Sequence, residues 1–132
     1  MRLRDVLLVV DEAHQFFPRG QVPKGLFEVL TGGREHGHNV IFVTQMLRGA
    51  VGGIDPGVRR QVSHLVAFRV TEPVEVGAVA EMFPELGERV RVWARPEGGL
   101  PPEYAVKDLD QDRAGLVLRD PRNPKNRVWV RL

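Results

Sequence analysis

Apolar positions along this chain follow two periods. Val6, Leu7, Leu8, Val9 and Val10 form one unbroken apolar run, and Val40, Ile41, Phe42 and Val43 form another. Runs this short, bounded by polar residues, predict strands buried on both faces. The first strand is expected over residues 5–11 and the second over residues 39–45. Residues 13–22 connect onward through a loop punctuated by Pro18 and Gly20. Residues 23–36 then predict a helix: Leu26, Val29 and Leu30 fall at i, i+3 and i+4, Pro23 suits the first turn, and Gly37 suits the C-terminal cap. Strand, helix and strand across residues 5–45 make a βαβ unit, and therefore a parallel sheet.

Residues 46–57 read as a Gly-rich loop, residues 58–61 as a short helical turn, and residues 62–70 as a third strand. Thr71-Glu72-Pro73 opens a second helix with Thr71 as its expected N-cap. Val76, Val79, Ala80 and Phe83 give it an apolar face, and Pro84 and Gly87 end it. Beyond residue 88 the pattern shortens. Strand-like pieces at 89–94, 103–107, 115–118 and 127–132 are separated by Pro, Gly and Asp, which predicts β-hairpins. The expected organisation is an α/β core over residues 1–88 with a β-hairpin-rich extension over 89–132.

The 132 residues suffice for one compact domain. Nineteen basic and 17 acidic residues leave a net charge of +2, which by itself calls for no polyanionic partner. Sixteen of the basic residues are Arg, the side chain better shaped for bidentate phosphate and carboxylate contacts. A GC-rich genome or a thermophilic source would enrich Arg equally well. There are no cysteines, which excludes disulfides, thiolate metal sites and cysteine nucleophiles. No apolar run approaches the ~20 residues of a membrane span, and the first residues do not read as a signal peptide. A cytoplasmic location is the default expectation, or a virion-associated one if the gene is viral.

The first strand ends in two acids, Asp11 and Glu12, where open α/β sheets place their ligands. Nucleotide-hydrolysing P-loop enzymes use such a pair: Asp11 would hold Mg²⁺, directly or through water, and Glu12 would orient and activate the attacking water. Two solvated acids at a strand end are the plainer alternative. Thr44 and Gln45 end the second strand, where a hydroxyl and an amide can sense the γ-phosphate or orient water. Arg34, in the stretch Gly32-Gly33-Arg34-Glu35-His36-Gly37, can serve as an arginine finger or simply as a surface cation favoured by a helix C-terminus. Arg48, Arg59 and Arg60 flank the Gly-rich loop and can touch DNA phosphates, make intersubunit ion pairs or stay solvated. No aromatic residues interleave them to stack bases. His14, His36, His38 and His64 show no metal-ligand spacing with Asp11. His14 is the one histidine placed for packing or relay.

The order of these pieces is more specific than any one of them. DEAH after an apolar strand, a helix, GREHGHN, a second apolar strand ending in Thr-Gln, and IDPGVRRQVSHLVAFRVTEP together resemble the HerA/FtsK superfamily of P-loop ATPases that move DNA. The resemblance spans about residues 5–85. It implies that Asp11 is the Walker B magnesium residue, Glu12 the catalytic base, Arg34 the arginine finger and Gln45 the sensor. It implies ATP and Mg²⁺ as cofactors, double-stranded DNA as the substrate moved, and a homo-oligomeric ring, with a hexamer expected. Filamentous-phage assembly ATPases of the Zot type share the acid pair, the His/Gly stretch and the Thr-Gln strand, but normally carry a membrane span.

The chain departs from both patterns at one point. No G-x-x-x-x-G-K-[ST] phosphate loop occurs in it, because Lys24, Lys107 and Lys125 all lack the glycine spacing and the following Ser or Thr. The expectation is therefore the C-terminal half of such an ATPase, inactive alone, with the phosphate loop upstream in the gene or on a separate chain. The alternatives are a non-enzymatic pseudo-ATPase or assembly module that docks on a complete ATPase, and a fragment of a Zot-like phage assembly ATPase. An in-frame phosphate-loop motif in the DNA upstream of the Met1 codon is the outcome expected on the first reading, and sequencing that region checks it.

Overall fold

The computed structural model describes residues 4–18, 20–48 and 52–132. They form two compact units, residues 1–61 and 62–132. In the first unit β1 (Leu7–Val10) and β2 (Asn39–Phe42) pair in parallel, Leu7 against Asn39 through Val10 against Phe42. The crossover carries α1 (Lys24–Gly32), which continues into a 3-10 turn over Gly33–His36. Gly37 follows at φ 72°, the left-handed conformation that ends a helix and favours glycine. The βαβ unit expected from the two apolar runs is present.

The core of this unit is small. Ala13, Phe17, Ile54 and Val58 are buried, with Val10, Val22, Leu26, Leu30 and Phe42 packed against them. The Phe17 and Phe42 rings meet edge to face at 4.9 Å. The expectation of strands buried on both faces needs correction. Leu7, Val9, Ile41 and Val43 are about half exposed. Two strands make the whole sheet here, so neither outer edge is paired among the described residues. The unit's own core covers one face only.

The second unit is an antiparallel meander in the order β3 (His64–Ala67), β4 (Tyr104–Asp108), β5 (Arg113–Arg119), β6 (Arg127–Arg131). The hairpins expected in the tail are present. The strand at 64–67 joins them, so the compact units divide after residue 61, where the sequence pattern placed a boundary after 88. Leu65, Ala67, Ala105 and Leu116 point to one side and are buried with Val76, Ala78 and Val79 from α3 (Pro73–Met82). The N-cap of α3 is Glu72, not Thr71, because Pro73 fixes the first helical turn one residue later.

Residues 89–94 do not form a strand. Gly87–Arg91 is a 3-10 turn. The alternating pattern there competes with a helical one, since Phe83, Leu86, Val90 and Trp93 recur every three or four residues. All four are buried, while Val92 is 79% exposed. Burying that helical set decides the conformation over the β-favouring alternation.

Lys107 is a buried cation in this unit. Its Nζ lies 3.1 and 3.2 Å from the two Glu85 oxygens, 3.8 Å from Asp112 and 5.4 Å above the Phe83 ring. Pairing makes such burial tolerable. A hydrogen bond from its own backbone amide and then the Lys107 ammonium hold the Glu85 carboxyl below its ordinary pKa. A depressed carboxyl stabilises the fold above its unfolded pKa and loses that contribution as pH falls through the folded value. The urea midpoint is therefore expected to drop on acidification below about pH 4, and Glu85→Gln is expected to lower it at pH 7 and flatten that dependence. Denaturation curves at several pH values check both.

Candidate functional site

The site lies where β1 and β2 end. The ladder between the two strands continues past them: the Val43 amide donates to the Val10 carbonyl (2.9 Å), and the Ala13 amide donates to the Val43 carbonyl (3.0 Å). Asp11 and Glu12 are thereby held beside Thr44. The Asp11 carboxylate accepts the Glu12 amide at 2.8 Å, and Glu12 takes φ 50°, ψ 43°. That left-handed conformation costs a residue with a Cβ about 1 kcal/mol or more. It turns the chain sharply into the 3-10 turn Ala13–Gln15 and sends the Glu12 side chain back toward His14.

His14 joins the two strand ends. Its Nδ1 is 3.0 Å from Thr44 Oγ1 and 3.4 Å from Glu12 Oε2. Thr44 Oγ1 also accepts the Met46 amide and lies within donating distance of the Met46 carbonyl, both at 3.1 Å. A hydroxyl has one proton. With that proton on the Met46 carbonyl, His14 Nδ1 carries a hydrogen directed at Thr44 and Glu12, and Nε2 is left as the acceptor. Asp11 is exposed, and Glu12 and His14 are half-buried. Such a group can hold a proton on one side and present carboxylate oxygen on the other. Sequence reading had given His14 only a packing or relay place. The signal available was its position two residues after Glu12, on the turn that leaves a buried-type strand.

Asp55 stitches the loops behind the site. Its Oδ1 accepts the Gly57 amide at 2.7 Å as N-cap of the single helical turn α2 (Pro56–Arg59), and its Oδ2 accepts the Gly20 amide at 2.9 Å. Its own amide donates to the Phe17 carbonyl at 2.9 Å. The Asp-Pro pair thus caps a turn and ties it to the segment that follows Glu12 and His14.

The expected site residues are not all brought together. Glu12 and Thr44 meet His14, while the Asp11 carboxylate turns to the Glu12 amide. Gln45 follows Thr44 and is exposed. Arg34 lies in the 3-10 turn Gly33–His36, and its side chain is outside the described residues. Arg48 is exposed in the loop after β2, and Arg59 and Arg60 end α2 and cap it. The Arg59 Nε is buried without a hydrogen-bond partner. Among the described residues no group of three His, Asp or Glu side chains is arranged around a metal position, and no helix is long and apolar enough to cross a membrane.

The family model for Zot, zonular occludens toxin, matches residues 1–78. The chain belongs to this family of P-loop ATPases. No curated protein matches it. The genome packaging NTPase B204 from Sulfolobus turreted icosahedral virus 2, solved with ATP-gammaS, superposes with a TM-score of 0.69 at 22% identity over 85% of this chain and 51% of that one. B204 from Sulfolobus Turreted Icosahedral Virus, described as a DNA-packaging ATPase, superposes with a TM-score of 0.67 at 22% identity over 83% of this chain and 50% of that one. The fold is therefore that of a P-loop NTPase, with a parallel sheet and helices. The chain spans about half the length of these structures.

Two substitutions separate the local roles. Asp55→Ala removes a cap and two amide acceptors and is expected to cost about 1–2 kcal/mol in thermal or urea unfolding. Glu12→Gly relieves the left-handed backbone and is expected to raise stability by about 0.5–1 kcal/mol, while Glu12→Gln leaves it nearly unchanged.

Proposed function

We propose that this chain is the Walker B and sensor portion of an ATP-dependent DNA-translocating or genome-packaging ATPase of the HerA/FtsK type. The observation that carries the reading is the meeting of Glu12, His14 and Thr44, with Asp11 next in the chain, at the carboxyl ends of two parallel strands in a member of a P-loop ATPase family. Glu12 is the general base that takes the proton of the attacking water, and His14, hydrogen-bonded to Thr44, positions its carboxylate. Asp11 is a hard oxygen donor suited to a magnesium ion that keeps most of its waters, which needs no cage of protein ligands. That ion would supply charge neutralisation of the phosphates. Thr44 and Gln45 report the γ-phosphate, and Arg34 acts as an arginine finger toward the ATP of a neighbouring subunit.

The phosphate loop comes from elsewhere, either more of the same protein or a separate chain. The half-exposed Leu7, Val9, Ile41 and Val43, on strands with unpaired edges, fit a sheet that the missing half completes. The complete assembly is a ring, with a hexamer expected, that moves double-stranded DNA through phosphate contacts to which Arg48, Arg59 and Arg60 contribute. It works in the cytoplasm or with the virion. The ATPase-half motifs lie within residues 1–88 and residues 89–132 act as their extension, with β3 and α3 folded into one unit with that extension.

Glu12→Gln in the assembly that includes the phosphate loop is expected to retain ATP binding and to lower the hydrolysis rate about 10²- to 10⁴-fold. Unchanged turnover would refute the assignment of the base. The second reading, a pseudo-ATPase that docks on a complete enzyme, draws on the missing phosphate-loop motif. Micromolar ATP binding by this chain alone, measured by calorimetry, would count against both.

A further inference from the structure

The meander in residues 62–132 has a second face. Directly opposed residues of an antiparallel sheet share a side. Leu65, Ala67, Ala105, Lys107 and Leu116 occupy the buried side, where Lys107 reaches Phe83 and Glu85 just past α3. The other side is open. Tyr104, Val117 and Trp129 lie in one row across β4, β5 and β6. Phe68, just past β3, extends that row, its ring 5.2 Å from the Tyr104 ring. Phe68 is 50% and Trp129 58% exposed. The Trp129 indole lies against Gly115 on the neighbouring strand, where a Cβ would collide with it. With strands ~4.8 Å apart, Tyr104 and Trp129 stand about 10 Å from each other.

Arginines frame this row. Arg127 and Arg131 flank Trp129 on the edge strand and share its side of the sheet, as does Arg113 on β5. The Arg127 guanidinium lies 5.9 Å from the centre of the Tyr104 ring. Asp108 is the only acid in the four strands; it sits at the end away from Trp129, directly opposite Arg113 and 3.7 Å from His64. Arg119 is held by the Arg95 and Pro101 carbonyls and belongs to the scaffold.

We infer that this face binds single-stranded nucleic acid, its bases stacking on Trp129, Tyr104 and Phe68 and its phosphates meeting Arg127 and Arg131. Two exposed rings with a half-buried one between them, about one or two base steps apart on a strand pair rich in arginine, match an unpaired strand in both shape and charge. A duplex hides its base faces and would use only the arginines. The inference does not rest on ATP hydrolysis, and its test needs no nucleotide.

The test is fluorescence anisotropy of labelled 20-mers of dT and of rU, and of a 20-base-pair duplex, with the full-length protein. Expected is tighter binding of a single strand than of the duplex, with the two homopolymers telling DNA preference from RNA preference. Trp129→Ala is expected to weaken it about ten-fold and Trp129→Phe by less than about three-fold. Arg127→Ala with Arg131→Ala is expected to reduce the slope of log affinity against log salt by about 1.4. Because Trp129 covers Gly115, Phe68→Ser serves as a second variant that leaves that contact intact, and it too is expected to weaken binding. Single-strand affinity unchanged in both aromatic variants, or duplex binding at least as tight as single-strand binding, overturns the inference. So does a dimer, seen by sedimentation, that Trp129→Ala dissolves while no strand is bound.

Discussion

Two hydrogen bonds beyond the ends of β1 and β2 set the geometry on which the site depends. Once the Val43 amide has met the Val10 carbonyl and the Ala13 amide has met the Val43 carbonyl, the chain after β1 cannot drift from the end of β2. Parallel strands make this possible, because both carboxyl ends lie on the same side of the sheet. The second acid after one strand and a hydroxyl after the next then stand within reach of a single imidazole. The βαβ connection is thus a device for bringing residues 30 positions apart to 3.0 Å.

The backbone of Glu12 shows the cost of that arrangement. A left-handed residue with a Cβ is retained only where the surroundings over-determine it. Here the Asp11 carboxylate on its amide, the buried Ala13 after it and the Phe17 core below hold it in place. Asp55 reinforces the same segment from the far side through Phe17 and Gly20. A polar site on so small a core depends on caps and loop stitching as much as on buried area, since short domains bury a limited fraction of their surface.

Much of the fold was legible because its signals were local. The two apolar runs, the helix with Pro23 before it and Gly37 after it, and the hairpins of the tail all follow from period and punctuation. Residues 89–94 were not legible in the same way: Arg89-Val90-Arg91-Val92 alternates like a strand, and only the burial of Leu86, Val90 and Trp93 against one core decides for a helical turn. Thr71 looked like a cap and Glu72 took the place, because Pro73 dictates where the helix begins. In the proposed site, Asp11, Glu12 and Thr44 stand out by their positions at strand ends. The bridging contacts of His14 do not, since a hydrogen bond across 30 residues leaves no periodic trace.

By itself the sequence determined the parallel βαβ unit, the placing of two carboxylates and a hydroxyl at strand termini, and the absence of a phosphate-loop motif. These are properties of neighbouring residues and of short spacings. Tertiary structure decided what depends on distant pairing: that residues 64–67 belong with the tail meander, that His14 joins Glu12 to Thr44, and that Phe68, Tyr104 and Trp129 share one open face. Strand register brings those three rings together. Register is set by the burial of the opposite side of each strand, where a shift of one residue would turn every side chain over.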